Sequence, residues 1–270
     1  MKLKDIREKL EAAGVETATF DASVLIEHFE GASRAKQLAF PEKEYESDAL
    51  KAAVLRRIQR EPLQYIIGEW DFMGHTFKVS PHCLIPRADT ELLCGIAEEK
   101  LQNGGRFADL CTGSGCIAVS ILLDCPKAYG VAVELYENTM EVCRNNAEMH
   151  HVTDRLETVV ADVTTPCLEG GFDVIVSNPP YVTAEEMNHI SPEVSTEPVA
   201  ALTDGGDGLS IIRKILEMYP RHLNCGGILA IEFGWKQGDA VLSIAKELKL
   251  DAHIVKDTEG RDRVLVVNAK

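Results

Sequence analysis

Asp173-Val174-Ile175-Val176-Ser177-Asn178-Pro179-Pro180-Tyr181 decides how this chain is read. Its first five residues form an apolar run of strand type. Two consecutive prolines can continue neither a central strand nor a helix. The chain therefore leaves the sheet stiffly at Asn178, at the strand's carboxyl end. Open α/β sheets bind their ligands at such ends. The Asn178 carboxamide oxygen and the Pro179 carbonyl can each accept a hydrogen bond from an NH2 group. The Tyr181 ring offers a flat face to a planar group. Asn-Pro-Pro is also an ordinary turn signal, so the neighbouring segments must decide.

Upstream, Phe107-Ala108-Asp109-Leu110 runs into Cys111-Thr112-Gly113-Ser114-Gly115, and an apolar helix follows from Cys116. Gly113, Gly115 and Ala118 fit G-x-G-x-x-G/A, in which glycine lets the backbone approach a ligand and the helix presents free N–H groups. The same pattern is plain α/β punctuation when it stands alone. A second strand, Tyr129–Glu134, ends in an acid 19 residues after Gly115. A carboxylate there can take both hydroxyls of a ribose. A third, Leu156 to Asp162, ends in another acid, placed to receive an exocyclic amine of adenine. Either acid alone would read as a solvated strand end; the ordered set with Asn178 points to a nucleotide-like ligand.

The order Asp109, Gly113, Gly115, Glu134, Asp162, Asn178-Pro179-Pro180-Tyr181 resembles a class I S-adenosylmethionine-dependent methyltransferase. Its tetrad resembles that of enzymes methylating planar nitrogen, either adenine N6 in DNA or glutamine N5 in protein. Glu61-Pro62-Leu63-Gln64-Tyr65, Leu84-Ile85-Pro86-Arg87-Ala88-Asp89-Thr90-Glu91, Glu197-Pro198 and Ile231-Glu232-Phe233-Gly234 resemble segments of the release-factor glutamine methyltransferases, the PrmC/HemK family. The resemblance implies a Rossmann-like α/β fold with seven strands, the last antiparallel. It implies catalytic roles for Asn178, Pro179, Pro180 and Tyr181. It further implies S-adenosylmethionine binding by Cys111, Thr112, Gly113, Ser114, Gly115, Glu134, Asp162, Val163 and Asn178. The substrate implied is the glutamine of a Gly-Gly-Gln motif in peptide chain release factors. Two positions depart from the family pattern: Cys111 replaces the first glycine of the loop, and Glu134 replaces the commoner Asp.

Composition narrows the classes. The net charge of −15, from 28 basic and 43 acidic residues, lacks the basic excess from which a duplex binder gains affinity. That disfavours a DNA adenine methyltransferase. A nicotinamide oxidoreductase would use the glycine loop but leave Asn178 to Tyr181 unexplained; a non-catalytic cofactor-binding module would not need Asn178 and Tyr181 intact. The eight cysteines form no C-x-x-C, which leads us to expect reduced thiols, no metal and a cytoplasmic protein. No apolar run has the length of a signal peptide or membrane span, and a monomer without membrane or nucleic-acid partners is expected.

Three regions are expected: a helical substrate-docking domain over 1–60, a hairpin and linker over 61–90, and the methyltransferase domain over 91–270. In the first, Phe20, Val24, Leu25, Ile26 and Phe29 form one apolar stripe, and Ala49, Leu50, Ala53, Val54 and Ile58 another. Phe72 to Val79 reads as a hairpin turning near Met73-Gly74-His75. Asp89 is expected to cap a following helix. The segment from Val182 to Asp207 reads as a long functional loop.

Overall fold

Leu110, Glu134, Val160 and Ser177 each close a strand of one sheet, and their alignment decides where a ligand can sit. A computed structural model of the chain describes residues 1–269. By contacts it divides into two compact units, Met1–Glu69 with Ser191–Thr196, and Trp70–Ile190 with Glu197 onward.

The first unit carries α1 (Leu3–Ala12), α2 (Ala18–Glu30), α3 (Arg34–Ala39), α4 (Asp48–Ile58) and α5 (Leu63–Ile67). Ile6 and Leu10 of α1, Ala22, Leu25 and Ile26 of α2, and Leu50, Ala53 and Val54 of α4 build its core. Asp21 and Arg57 are buried among them, with Arg57 Nε 2.6 Å from Asp21 Oδ2. A buried charge survives when it is paired in this way. The pair rotates α2, so that Leu25 and Ile26 of the expected stripe face inward while Phe20 stays half exposed. Ala49 of the second stripe is exposed as well. The unit runs past residue 60 because α5 packs on α4 and α2. It also recruits Glu193, whose carboxylate takes Arg57 at 2.9 Å and Arg60 at 2.6 Å. Burial opposes ionisation of Glu193, but the two guanidiniums outweigh it and hold the carboxyl down at about 2. The expected 182–207 loop is therefore not free chain. Ser191–Thr196 joins the helical unit, while Val199–Leu202 forms a short helix of the second.

In the second unit, β1 (Glu69–Phe72) and β2 (His75–Lys78) form the hairpin, of which Glu69 belongs to the first unit. Its two turn residues, Met73 and Gly74, have φ of 52° and 74°. Two successive positive φ values are what a type I′ hairpin turn requires. Then follow α6 (Glu91–Leu101), β3 (Gly105–Leu110), α7 (Cys116–Asp124), β4 (Ala128–Glu134), α8 (Glu137–Met149), β5 (Leu156–Val160) and β6 (Phe172–Ser177). The chain ends through α9 (Val199–Leu202), α10 (Ser210–Met218), β7 (Leu223–Glu232), α11 (Gly238–Glu247), β8 (Asp251–Lys256) and β9 (Asp262–Asn268). Asp89 does not cap α6. A 3-10 turn over Ala88–Thr90 enters that helix, and Asp89 instead meets Arg263 at 3.0 Å.

The seven strands are ordered β5-β4-β3-β6-β7-β9-β8, giving an α/β Rossmann-like sheet. Pairings from β5 to β7 are parallel, and β9 runs antiparallel to both β7 and β8. Phe107, Val174 and Val176 pack one face against Leu93, Ile117 and Ile121; Leu110, Val133 and Ile175 pack the other with Ile212, Ile215 and Val241. Burial on both faces explains why these strands read as continuous apolar runs.

The order reverses between β3 and β6. From β3 the chain winds through β4 to β5 on one side; from β6 it winds to β7 on the other. Such a reversal opens a crevice beyond the strands' carboxyl ends. Register then fixes its walls. Leu110 pairs with both Val133 and Ser177, and Glu134 with Val160. Ser177 Oγ donates to the Leu110 carbonyl at 2.8 Å, clamping the two ends together. The glycine loop and the Asn-Pro-Pro-Tyr tetrad thus leave the sheet side by side.

Candidate active site

The crevice holds an open cavity of about 980 Å³, solvent at its mouth included, and all its walls belong to the second unit. Cofactor pockets span roughly 300–1,000 Å³. Of the residues expected to bind cofactor, Cys111, Thr112, Gly113, Ser114, Glu134, Asp162, Val163 and Asn178 line it. Gly115, Pro179 and Tyr181 do not, whereas Pro180 does.

The glycine loop is built from inside. Thr112 Oγ1 donates to Asp109 Oδ2 at 2.5 Å, and the Thr112 N–H donates to the Val133 carbonyl at 3.0 Å. Asp109 is fully buried and braces the turn rather than bordering the cavity. Burial pushes its carboxyl up to about 7, opposed by the hydrogen bond from the Thr112 hydroxyl. Gly113 borders the cavity at φ 58°, and a Cβ there would meet no atom within 4 Å. Gly115 has a structural duty. At φ 79° it starts α7, and a Cβ would come within 2.6 Å of Cys143 Sγ. Its role is to let α7 and α8 approach.

Cys111 adopts φ 64°, a left-handed conformation in a residue that has a side chain. Such a conformation costs about 1–2 kcal/mol outside glycine. Its thiol pKa is driven upward by burial and then by the Glu134 and Asp109 charges. The group is a neutral filler. Cys111→Gly is expected to keep turnover within about threefold and to shift stability by no more than about 1 kcal/mol, strain relief being offset by added unfolded-state entropy. Turnover and denaturation midpoints measure both; a lost activity would give the thiol a role in the reaction.

Glu134 is 9% exposed and borders the cavity. Its Oε2 accepts the Gly113 N–H at 3.0 Å, and Oε1 accepts those of Leu135 at 2.8 Å and Tyr136 at 3.3 Å. Burial raises its pKa, opposed by these three donors. The carboxylate is thereby held rigid, with lone pairs left for a ligand's hydroxyls. Asp162 lies two residues beyond the end of β5. Its Oδ1 is occupied by the Thr164 N–H and hydroxyl at 2.8 and 2.7 Å, and Oδ2 has no hydrogen-bond partner among the described residues. Val163 is buried, and its carbonyl accepts from the Tyr219 hydroxyl at 2.8 Å.

Asn178 Nδ2 donates to Thr90 Oγ1 at 3.1 Å. With its NH2 engaged there, Oδ1 is the acceptor left for a ligand. Tyr181 is held at both ends. Its hydroxyl donates to Glu232 Oε1 at 3.0 Å, and its carbonyl accepts from Gln237 Nε2 at 3.0 Å. The phenol is held by Glu232, and Tyr181 is not among the residues that line the cavity. Three residues that shape the site were not singled out by the sequence: Thr90, Glu232 and Arg87. Arg87 borders the cavity and pairs with buried Glu197, which also accepts the Ile85 N–H at 3.0 Å. All three lie in segments that carry the family resemblance, yet neither spacing nor periodicity marks them.

Comparison with known proteins matches this arrangement. The family model described as PrmC N-terminal domain matches residues 2–68, and the one described as Methyltransferase small domain matches residues 88–234. A release factor glutamine methyltransferase of Geobacter sulfurreducens is 36% identical over 264 residues, covering 96% of this chain and 92% of its own. One from Cereibacter sphaeroides is 37% identical over 263 residues, covering 95% and 93%. Among solved structures, a methyltransferase from Pyrococcus furiosus superposes with a TM-score of 0.57 at 20% identity, covering 81% of this chain and 97% of that one. The hMettl16 catalytic domain gives 0.59 at 15% identity, covering 83% and 82%. These two likenesses establish the fold. The extended identity to the first two relatives, across both the helical unit and the crevice, goes further: this chain belongs to the release factor glutamine methyltransferase family.

Proposed function

We propose that the protein transfers a methyl group from S-adenosylmethionine to the side-chain amide nitrogen (N5) of a glutamine in the Gly-Gly-Gln motif of peptide chain release factors. One observation carries the reading: Asn178 borders the crevice with its NH2 engaged by Thr90 and its oxygen left for an incoming N–H donor. An acceptor there suits an amide and not a carboxylate. The alternative adenine amine fits the same acceptor; the relatives named above and the acidic charge favour glutamine.

The cavity residues fit the cofactor. Glu134 would hold the ribose hydroxyls, Asp162 with Val163 the adenine edge, and the loop from Cys111 to Gly113 the remaining chain. Gly113, with open space where a Cβ would stand, lets that approach happen. When bound, the cofactor supplies an electrophilic methyl carbon on a positively charged sulfur. An amide nitrogen is a weak nucleophile because its lone pair is delocalised into the carbonyl. Asn178 therefore contributes by orientation: it accepts an amide N–H and aims the nitrogen at the methyl carbon. Its dipole also stabilises the positive charge that develops as the N–C bond forms and the sulfur keeps the C–S electron pair. The surplus nitrogen proton passes to water. Among the described residues no group of three metal-ligating side chains occurs, and the reaction as written uses none.

Residues 1–60 serve in this reading as a docking domain for the release factor. In the first unit, Leu3, Phe20, Val24 and Leu38 line an apolar groove, with Leu38 70% exposed. Docking energy remote from the reacting group can orient it. No helix among the described residues is long and apolar enough to cross a membrane. We place the reaction in the cytoplasm, by a monomer that needs no nucleic acid.

Mass spectrometry of purified release factor after incubation with protein and S-adenosylmethionine tests the reaction. One added methyl on the Gly-Gly-Gln glutamine is expected. An unmodified factor, or label on an adenine of added DNA, would overturn it. The docking role has its own arm. Leu38→Asp should lower kcat/KM on whole factor by about 10-fold, the scale of an anchoring apolar contact, and leave a short Gly-Gly-Gln peptide unaffected. Equal rates on whole factor for variant and wild type would remove the groove from docking.

A further inference from the structure

His82 is an exposed residue on the border of the cavity, yet it is held at three points. Its N–H donates to Ser80 Oγ at 3.3 Å. Its carbonyl accepts from the hydroxyl of buried Thr139 at 2.6 Å. Its ring nitrogen Nδ1 lies 3.0 Å from Asn138 Nδ2. A surface side chain fixed in this way forgoes rotamer freedom that solvent would otherwise leave it.

The direction of the ring's hydrogen bond follows from its neighbour. Asn138 Oδ1 accepts the Thr139 N–H at 3.0 Å, and a backbone N–H can only donate. Asn138 therefore turns its NH2 toward His82. Nδ1 must accept, so the neutral ring carries its proton on Nε2. That N–H has no partner among the described residues.

The surroundings indicate what this donor meets. Asn138 stands in the first turn of α8, four residues after Glu134. Burial pushes the thiol of Cys83, the residue after His82, up to about 11, and the Glu197 and Glu134 charges add to the rise. His82 and Glu134 border the same cavity. An ionised carboxylate takes the hydrogens of ribose hydroxyls, and each such hydroxyl keeps an oxygen that still accepts. An N–H donor beside Glu134 completes the pairing.

We propose that His82 is a further cofactor-binding residue whose Nε2–H donates to a ribose hydroxyl oxygen of S-adenosylmethionine, and that Asn138 is the positioning residue that keeps the proton on Nε2. The proposal rests on the cofactor reading above. It adds a contact from the segment between β2 and α6 to those made by Glu134 and the glycine loop.

Calorimetry with S-adenosylhomocysteine compares His82→Phe, which keeps a planar ring without an N–H, with His82→Gln, whose amide can still donate. His82→Phe should weaken binding about 5- to 10-fold, the scale of one hydrogen bond. His82→Gln should stay within about threefold of wild type. His82→Phe should lose the same factor toward methylthioadenosine, which has the ribose and lacks the amino-acid tail. Nitrogen NMR of the unliganded protein reads the tautomer, with the His82 signals assigned by their loss in His82→Phe. At alkaline pH the wild-type ring should carry its proton on Nε2. Asn138→Asp, whose carboxylate only accepts, should draw the proton to Nδ1 and weaken binding as His82→Phe does. Wild-type affinity in His82→Phe would overturn the proposal, and so would a His82→Gln protein as weak as His82→Phe or a wild-type ring protonated on Nδ1. A loss confined to S-adenosylhomocysteine would put the contact on the tail and overturn the ribose assignment. Wild-type protein that binds neither compound would overturn the cofactor reading itself, and the inference with it.

Discussion

Asn178→Ala is expected to lower kcat by at least about 100-fold, the scale for losing one hydrogen-bond partner of a transition state. The alanine removes the acceptor that orients the substrate amide and the dipole that meets its growing positive charge. Cofactor affinity should change far less, because Glu134, Asp162 and the glycine loop remain in place along the cavity wall. The fold should also survive. The side chain is only partly buried, and its hydrogen bond goes to Thr90. Steady-state kinetics with release factor and calorimetry with S-adenosylhomocysteine separate the two quantities. A near-normal kcat would remove Asn178 from the mechanism; a matching loss of cofactor affinity would make it a cofactor ligand instead.

Glu134→Ala should act on the other half of the reaction. Loss of a charge-assisted contact to ribose is expected to cost roughly 1.5–3 kcal/mol of cofactor binding. The carboxylate also accepts the N–H groups of Gly113, Leu135 and Tyr136. Alanine leaves those donors to water and loosens the loop, so the upper part of that range is expected. Glu134→Gln supplies the control. Its amide oxygen can still serve part of the turn, and its affinity should fall between those of wild type and alanine. Calorimetry with S-adenosylhomocysteine measures all three. An unchanged dissociation constant in the alanine variant would show that another group holds the ribose.

Much of this site is legible in the order of amino acids alone. Gly113, Glu134, Asp162 and Asn178 stand out because each follows an apolar run at a strand's carboxyl end, and strand periodicity is a local property. Local preferences give way where a distant partner intervenes. Asp89 is free to cap α6 on local grounds, but Arg263 claims its carboxylate. Glu232, 51 residues away, accepts from the Tyr181 hydroxyl, a partner that no local pattern announces. The α2 stripe that begins at Phe20 is turned because Arg57 draws Asp21 inward.

The amino-acid order by itself determined the alternation of strands and helices, the glycine turn, and the stiff exit at Pro179-Pro180, since these follow from backbone preferences within a few residues. It also determined which polar residues stand at strand ends. Only the tertiary structure decided that Leu110 and Ser177 lie in register, so that loop and tetrad share one crevice. It alone decided that Gly115 serves helix packing while Gly113 borders the cavity. It alone brought Glu193 to Arg57, Thr90 to Asn178 and Glu232 to Tyr181. The reason is physical. A hydrogen bond between side chains 51 to 136 residues apart depends on how strands order and helices pack, and it leaves no period or spacing in the chain.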